Sequence, residues 1–249
     1  MGLLHDLRQS SRLGIYIAVA AATVGIIYGY DSSNIAGALL FMTKDFGLTT
    51  GQQQLVTTAV VVGEVLGALF GGALANRIGR KKAMIMVAIT FAAFSLLSAL
   101  AWSVPTLVGA RFLLGLTIGI SVVVVPVFVA ESSPANIRGA LLVLYQVATV
   151  TGIIFGYLVA WALASTESWR WMLGMAAIPG VIVTLLLLRL PDTARWYMMR
   201  GRVAEARAVL AQVDPTADID VEIAEMQAAL QEIEGGKGKA PGIFSLLDD

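Results

Sequence analysis

Six long apolar stretches dominate the chain, and few charged residues interrupt them. They cover about residues 14–41, 54–75, 83–102, 104–131, 140–163 and 170–190. Each holds about 20 residues or more, which is the length that a helix needs to cross the ~30 Å apolar core of a bilayer. The pattern therefore predicts an all-α membrane protein with six transmembrane helices within residues 13–190.

The segments on either side of the apolar stretches are more polar. We expect residues 1–12 to form a cytoplasmic N-terminus and residues 191–249 to form a cytoplasmic helical linker. Within the linker, apolar residues alternate at spacings of four and three, which predicts an amphipathic helix over 218–234. The residues of this stripe are Ile219, Ile223, Met226, Leu230 and Ile233. A shorter helical pattern over 204–213 precedes it.

The distribution of Lys and Arg predicts the orientation, because these residues are enriched on the cytoplasmic side of membrane proteins. With the N-terminus inside, fourteen of the seventeen fall on that side, Lys44 and Arg170 fall outside, and Arg111 lies within the membrane. We therefore expect a multi-pass plasma-membrane protein with both termini cytoplasmic. A cleaved secretory signal is the weaker interpretation of the first stretch, because its apolar run continues to Tyr30.

The composition excludes several classes of function. The chain is 57% hydrophobic and 14% charged, whereas soluble domains are roughly 45–50% and about 25%. Seventeen basic residues balance seventeen acidic ones, so a broadly basic nucleic-acid binder is excluded. With no Cys and only His5, we expect no cofactor, no metal and no enzymatic constellation.

Three ionisable residues lie at membrane depth, where each costs at least ~2.5–3.5 kcal/mol. Asp31 and Glu64 lie ~15 Å and Arg111 ~11 Å from the predicted outer ends of their helices, so all three can share one cavity. Asp31 with Arg111 is either a structural ion pair or a proton site with a reversible Arg contact. Glu64 is either a second proton carrier or a cavity-lining residue, and the second interpretation is favoured.

Neutral polar and aromatic residues add candidates for ligand contact. Gln146 has both donor and acceptor groups that suit hydroxyl-rich ligands, although an interhelical hydrogen bond is commoner for such a residue. Tyr28 can stack on a sugar ring. We interpret Trp161, Trp169 and Trp171 as anchors in the outer membrane interface.

Charged residues also concentrate at the predicted cytoplasmic ends of the helices. Glu131 ends the fourth stretch and Arg138 opens the fifth, while four cations crowd the loop between the second and third stretches: Arg77, Arg80, Lys81 and Lys82. The positive-inside bias with helix-end complementarity explains them without a specific function. The alternative is a salt-bridge latch that closes the cytoplasmic mouth in one conformer.

Five motifs, in order along nearly the whole chain, resemble the sugar porter family of the major facilitator superfamily. They are GYD with IAGAL at 29–31 and 35–39; NRIGRKK at 76–82; RFLLG at 111–115 with AESSP and IRGAL at 130–134 and 137–141; Gln146 with Gly152; and PDTARW at 191–196.

The resemblance implies the N-terminal six-helix half of a carrier that moves a sugar or polyol by alternating access. It implies proton symport through Asp31 with Arg111 as its partner, and substrate contact at Gln146 and Tyr28. It also implies a cytoplasmic gate formed by Arg77, Arg80, Glu131, Arg138 and Arg195. The implied partners are the substrate, protons, the lipid bilayer and a second six-helix half.

The sequence also departs from the family pattern. Asn76 replaces an Asp, Ile153 stands where some relatives have a sugar-binding Gln, and Asp192, Thr193 and Ala194 replace Glu, Ser and Pro. Glu64 has no family role. These departures leave the identity of the sugar open and weaken the expectation for Arg195.

The family has twelve spans, so we expect this chain to supply only the first half and to need a second. Two alternatives remain open at the level of the sequence. One is a non-transporting membrane sensor or interaction protein that binds a partner through the 218–234 helix. The other is a nonfunctional truncated fragment.

Overall fold

The computed structural model describes residues 12–133, 138–213 and 218–236, and these residues are helical and contain no strand. Five long helices come first: α1 (Arg12–Phe46), α2 (Thr50–Ile78), α3 (Arg80–Ala99), α4 (Val104–Glu131) and α5 (Arg138–Ala162). After a 3₁₀ turn at Ala164–Thr166 come α6 (Trp169–Gly174), α7 (Ala177–Leu188), α8 (Ala194–Met199), α9 (Val203–Val213) and α10 (Ile219–Gly236). The all-α membrane fold class is confirmed.

Five segments of the described residues are long and apolar enough to cross a membrane. They are α2, α3, α4, α5 and the segment Trp169–Leu188, which joins α6 and α7. The first predicted stretch lies within the 35-residue helix α1, which is ~52 Å long and so longer than a bilayer core is thick. Each of the six predicted stretches therefore coincides with helical structure.

The bundle is built from two closely packed helix pairs, α1 with α5 and α2 with α4. Glycines set the distance within each pair: a methyl group on Gly29 of α1 would overlap the carbonyl of Thr149 on α5, and one on Gly119 of α4 would overlap the carbonyl of Glu64 on α2. Small residues at helical spacing permit this approach, which is a major source of helix association in lipid. The two glycine contacts therefore define how closely each helix pair packs.

The sixth predicted span is broken into α6 and α7, which the hydropathy pattern does not indicate. Pro179 has no N–H to donate to the carbonyl of Met175, and Ile178 bonds that carbonyl instead at 3.1 Å. Beside the break, the carbonyl of Met172 accepts hydrogen bonds from the hydroxyl of Tyr30 at 3.0 Å and from the side-chain amide of Asn34. Helix α1 is thus attached to the interrupted helix.

Three short helices, α8, α9 and α10, cover one end of the bundle. The predicted helix over 218–234 is present as α10, and Asp218 caps it by accepting N–H bonds at 3.1 and 3.3 Å. Its apolar stripe packs against the chain's own core: Ile223 is buried, and Met226 and Leu230 contact the same cluster. Ile223, Met226 and Leu230 of this stripe therefore have an intramolecular packing role.

Candidate functional site

The ionisable residues Asp31 and Arg111 form a bidentate ion pair in the apolar interior of the bundle. Asp31 is on α1 and Arg111 is on α4. Nη1 of the arginine donates to Oδ1 at 2.6 Å and Nη2 donates to Oδ2 at 3.1 Å. The exposed fractions of the two side chains are 5% and 2%, so the pair is enclosed by protein. Because bidentate charge-assisted bonds are strong and directional, the pair fixes α1 against α4 at this depth.

Two polar atoms beside this pair have no hydrogen-bond partner in the described part of the chain. They are Nε of Arg111 and Oδ1 of Asn34, and both are buried. Glu64 is half-buried on α2, where its backbone packs against Gly119 of α4. The prediction of a shared depth is confirmed for Asp31 and Arg111, which are bonded, but it is wrong for the backbone of Glu64, which lies opposite Gly119, ~12 Å along α4 from Arg111.

The two residues predicted to contact substrate lie on α1 and α5. Tyr28 is half-buried and packs against the core. Gln146 is exposed, next to other exposed side chains of α5, and forms no hydrogen bond with any other described residue. The interhelical hydrogen bond considered for Gln146 is therefore not formed within the described residues, and a contact with substrate stays a prediction.

A second polar cluster lies at the end of the bundle where α2 meets α3. Its centre is Glu131, the last residue of α4. The carboxylate accepts bonds from Nε of Arg80 at 2.9 Å, Nη2 of Arg80 at 3.1 Å and Oγ1 of Thr193 at 2.8 Å. Arg195 pairs with it more loosely, with 3.9 Å between its Nε and Oε1. We call Arg80, Glu131, Asp192, Thr193 and Arg195 the Glu131 cluster.

Asp192 organises the backbone of this cluster. Its Oδ1 accepts from the backbone N–H groups of Arg80 at 3.0 Å, Lys81 at 3.3 Å and Thr193 at 2.9 Å. Burial raises the pKa of Asp192, and the three N–H bonds act in the opposite direction. The chain turns between α2 and α3 at Gly79, whose φ is +103°, and a Cβ there would overlap the Asp192 carboxylate. Glycine is required at this turn for both reasons.

The structure brings together only some of the residues predicted to form a cytoplasmic gate. Arg80, Glu131 and Arg195 meet in the Glu131 cluster. The side chain of Arg77 is exposed, and the backbone carbonyl of this residue accepts a hydrogen bond from the side chain of Arg200. Arg138 donates instead to the carbonyl of Ser133 at 3.5 Å.

Asp192 and Thr193 belong to this cluster. Their departure from the family pattern had suggested only a weaker expectation for Arg195. The sequence does contain a signal for Thr193. Its hydroxyl accepts the N–H of Trp196, three residues later, and so caps α8, as Thr commonly does at a helix start. The long-range bonds of Asp192 have no local signal.

At the opposite end of the bundle, the interpretation of Trp169 as a membrane anchor is wrong. Trp169 is buried, and its indole N–H donates to Asp45 on α1 at 3.0 Å. The guanidinium of Arg170 lies 4.2 Å from the centre of the indole ring and also contacts Asp45 at 3.2 Å. Trp161 and Trp171, by contrast, are 78% and 67% exposed, as membrane anchors would be.

Solved structures show the same fold. The partially occluded, inward-open conformation of the xylose transporter XylE from E. coli superposes with a TM-score of 0.82 at 24% identity, covering 90% of this chain and 61% of that one. XylE bound to 6-bromo-6-deoxy-D-glucose gives a TM-score of 0.81 at 23% identity, covering 91% of this chain and 54% of that one.

Curated relatives are similar over nearly the whole chain. The putative metabolite transport protein YwtG of Bacillus subtilis is 37% identical over 230 residues, which is 92% of this chain and 50% of that protein. The arabinose-proton symporter of Escherichia coli is 37% identical over 233 residues, or 93% and 49%. The chain thus spans about half the length of these relatives. The family described as sugar (and other) transporter matches residues 17–246, so the chain belongs to the sugar porter family of the major facilitator superfamily.

Proposed function

We propose that this chain forms the N-terminal six-helix half of a plasma-membrane carrier that moves a sugar or polyol by alternating access, with proton symport through Asp31. Both termini face the cytoplasm in this proposal. The observation that carries it is the buried bidentate pair of Asp31 and Arg111. Two relatives, named as arabinose-proton and galactose-proton symporters, support the substrate class and the coupling.

The ion pair offers a direct way to couple a proton to a movement of helices. When Asp31 is ionised, its carboxylate holds Arg111 and attaches α1 to α4. When Asp31 takes up a proton, the attraction is lost and a buried cation is left without its partner, which is unfavourable by several kcal/mol. Proton binding therefore favours a second arrangement of the helices, as a ligand with unequal affinity for two states does.

The exposed faces of α2 and α5 are where we place the substrate cavity and the second six-helix half. These two helices have the smallest buried shares among the five candidate spans, 33% and 22%. Gln146 lies on the exposed face of α5, and a side-chain amide is poorly suited to face lipid. In this arrangement, Gln146 and Tyr28 are available to contact a hydroxyl-rich substrate.

The Glu131 cluster is the proposed cytoplasmic gate. Its bonds join the starts of α3 and α8 to the end of α4, through residues that are 51 and 62 positions apart in sequence. Opening requires the Arg80–Glu131 bonds to break, so the cluster stabilises one conformer of the cycle. Arg77 and Arg138 flank the cluster and contribute positive charge at its edges.

Uptake of labelled hexoses, pentoses and polyols into proteoliposomes under an inward proton gradient tests the proposal. We expect no uptake by this chain alone and gradient-dependent uptake when the second half of the E. coli arabinose-proton symporter is reconstituted with it. The change Asp31→Asn in the two-part carrier is expected to remove the dependence on the gradient. Uptake that keeps its full gradient dependence in Asp31→Asn would refute coupling through this residue.

A further inference from the structure

Helices α3 and α7 pack against each other in opposite directions. Near their middle, a Cβ on Gly180 of α7 would lie 3.1 Å from the Cβ of Ala92 and 3.2 Å from the carbonyl oxygen of Ala88 on α3. At one end, Nζ of Lys81 donates to the carbonyl of Leu188 at 3.1 Å. The first turn of α3 therefore meets the last residue of α7, at the end of the bundle that holds the Glu131 cluster.

Both helices expose an apolar stripe beside this contact. The side chains of the two stripes are all exposed: Ile89 and Leu96 on α3, and Val181, Leu185 and Leu188 on α7. Each stripe lies ~100° around its helix from the residues in contact, counted in the same sense along the chain. Because the helices run in opposite directions, both stripes then open on one side of the contact. They form one apolar surface that acyl chains can cover.

Positive charge is concentrated where the two stripes end. Lys82 is exposed and lies seven residues before Ile89, on the same face of α3, and Arg189 is exposed directly after the last residue of α7. Neither cation forms a hydrogen bond or ion pair with any residue that the structure describes. Lys81 lies between them and has three N–H donors, of which one carbonyl takes one. The neighbouring carboxylate, Asp192, is buried and accepts from backbone N–H groups instead.

We propose that Lys81, Lys82 and Arg189 bind the phosphate of an anionic phospholipid whose acyl chains lie along the two apolar stripes. The phosphodiester supplies acceptor oxygens and negative charge, and the ammonium and guanidinium groups supply donors and positive charge. A zwitterionic lipid carries its own cation, so the site favours a head group of net negative charge. The proposed second half lies on α2 and α5 and leaves this face to lipid, and the binding itself does not require transport.

Native mass spectrometry of the detergent-solubilised chain tests the site by titration with phosphatidylglycerol or with phosphatidylcholine of the same acyl chains. We expect phosphatidylglycerol to bind more tightly. The pair Lys82→Gln with Arg189→Gln is expected to weaken its binding roughly 25-fold, at about fivefold for each cation removed, and to leave phosphatidylcholine nearly unchanged. The pair Lys82→Arg with Arg189→Lys keeps both charges and is expected to retain most of the binding.

The matched control is Arg138→Gln with Arg207→Gln, which removes two exposed cations from α5 and α9. We expect this pair to leave phosphatidylglycerol binding nearly unchanged. Equal weakening in both pairs would show a general effect of net charge and would overturn the proposal. Unchanged binding after the loss of Lys82 and Arg189 would overturn it as well.

Glycerol 3-phosphate distinguishes a lipid from a free phosphate, because it carries the anionic group without acyl chains. We expect it to displace phosphatidylglycerol only at a far higher concentration. Displacement at equal concentration would contradict the role of the apolar stripes. A dimer of the chain that is lost together with Lys82 and Arg189 would assign the face to a second copy and would also overturn the proposal. Since no flux is measured, failure of the transport experiment leaves this result interpretable.

Discussion

Two arginines bind the same carboxylate in the Glu131 cluster, and the structure predicts very different energetic weights for them. Arg80 has a side chain that is 5% exposed and donates two bonds to Glu131. Arg195 is 46% exposed, and its Nε lies 3.9 Å from the carboxylate. We therefore compare Arg80→Gln with Arg195→Gln, which remove the same charge from one carboxylate at two levels of burial.

Arg80→Gln leaves the largely buried Glu131 carboxylate with the Thr193 hydroxyl and the distant Arg195. Breaking one partner from a buried pair costs about 3–5 kcal/mol, whereas an exposed pair contributes about 0.2–1 kcal/mol. For a chain of 249 residues, 1 kcal/mol corresponds to roughly 2–4 °C in Tm. We expect Arg80→Gln to lower the Tm by roughly 6–20 °C and Arg195→Gln to lower it by less than about 4 °C.

Thermal unfolding of the detergent-solubilised chain, followed by intrinsic tryptophan fluorescence, measures both changes. High salt is a useful second condition, because it screens the exposed Arg195 pair and leaves the enclosed Arg80 pair nearly unaffected. Equal losses for the two variants, or a larger loss for Arg195→Gln, would refute the argument that burial determines the strength of these ion pairs.

Three further predictions concern other parts of the fold, each read out as Tm under the same conditions. Gly29→Val inserts a side chain where the α1–α5 contact leaves no room and is expected to cost at least about 1–3 kcal/mol of stability. Gly109→Val is the control, because a Cβ at that position has no atom within 4 Å. Similar losses of stability in the two variants would contradict the close approach of α1 and α5. Trp169→Phe removes a charge-assisted hydrogen bond to Asp45 and is expected to cost about 1–2 kcal/mol of stability. Trp171→Phe, at an exposed position, should cost under about 0.5 kcal/mol. Equal costs would contradict a structural role for the buried Trp169. The pKa of Asp192 is raised in the folded chain, so the native state binds the carboxyl proton more tightly than the unfolded state does. The contribution of Asp192 to stability should therefore increase as the pH falls through the raised pKa toward the ordinary Asp range. Asp192→Asn should flatten this part of the profile of Tm against pH, and an unchanged slope would contradict the prediction.

Residue counting along the apolar stretches predicted the central pair because helix rise converts position into depth. Asp31 and Arg111 are 80 positions apart in sequence, and yet the shared depth of their helices was enough to suggest contact. Counting does not determine which way a side chain points around its helix. Nor does it determine the register of α2 against α4, which places the backbone of Glu64 opposite Gly119, eight residues along α4 from Arg111.

In the Glu131 cluster, the sequence identified several of the residues but not which of them bond to each other. Charge patterning identified Arg80 and Glu131, and the family resemblance added Arg195, but the choice of partners depends on tertiary contacts. Asp192 binds backbone N–H groups more than 100 positions earlier in the sequence, and no local pattern encodes such a bond.

Trp169 illustrates a third limit of sequence reasoning. A tryptophan near the end of a span is commonly an interfacial anchor. Its indole N–H instead donates to the carboxylate of Asp45, which is 52% exposed, and only the folded arrangement of α1 and α6 provides this contact.

The pairing of α1 with α5 and of α2 with α4 also has a consequence for biosynthesis. Neither pair joins neighbours in sequence, so α1 enters the membrane well before its glycine-matched partner has been made. Asp31 is synthesised 80 residues before Arg111, an interval of roughly 4–16 s at about 5–20 residues per second. During that time the carboxylate must remain solvated, protonated or held by the insertion machinery, and α4, which arrives with the arginine, is the helix that ends its exposure.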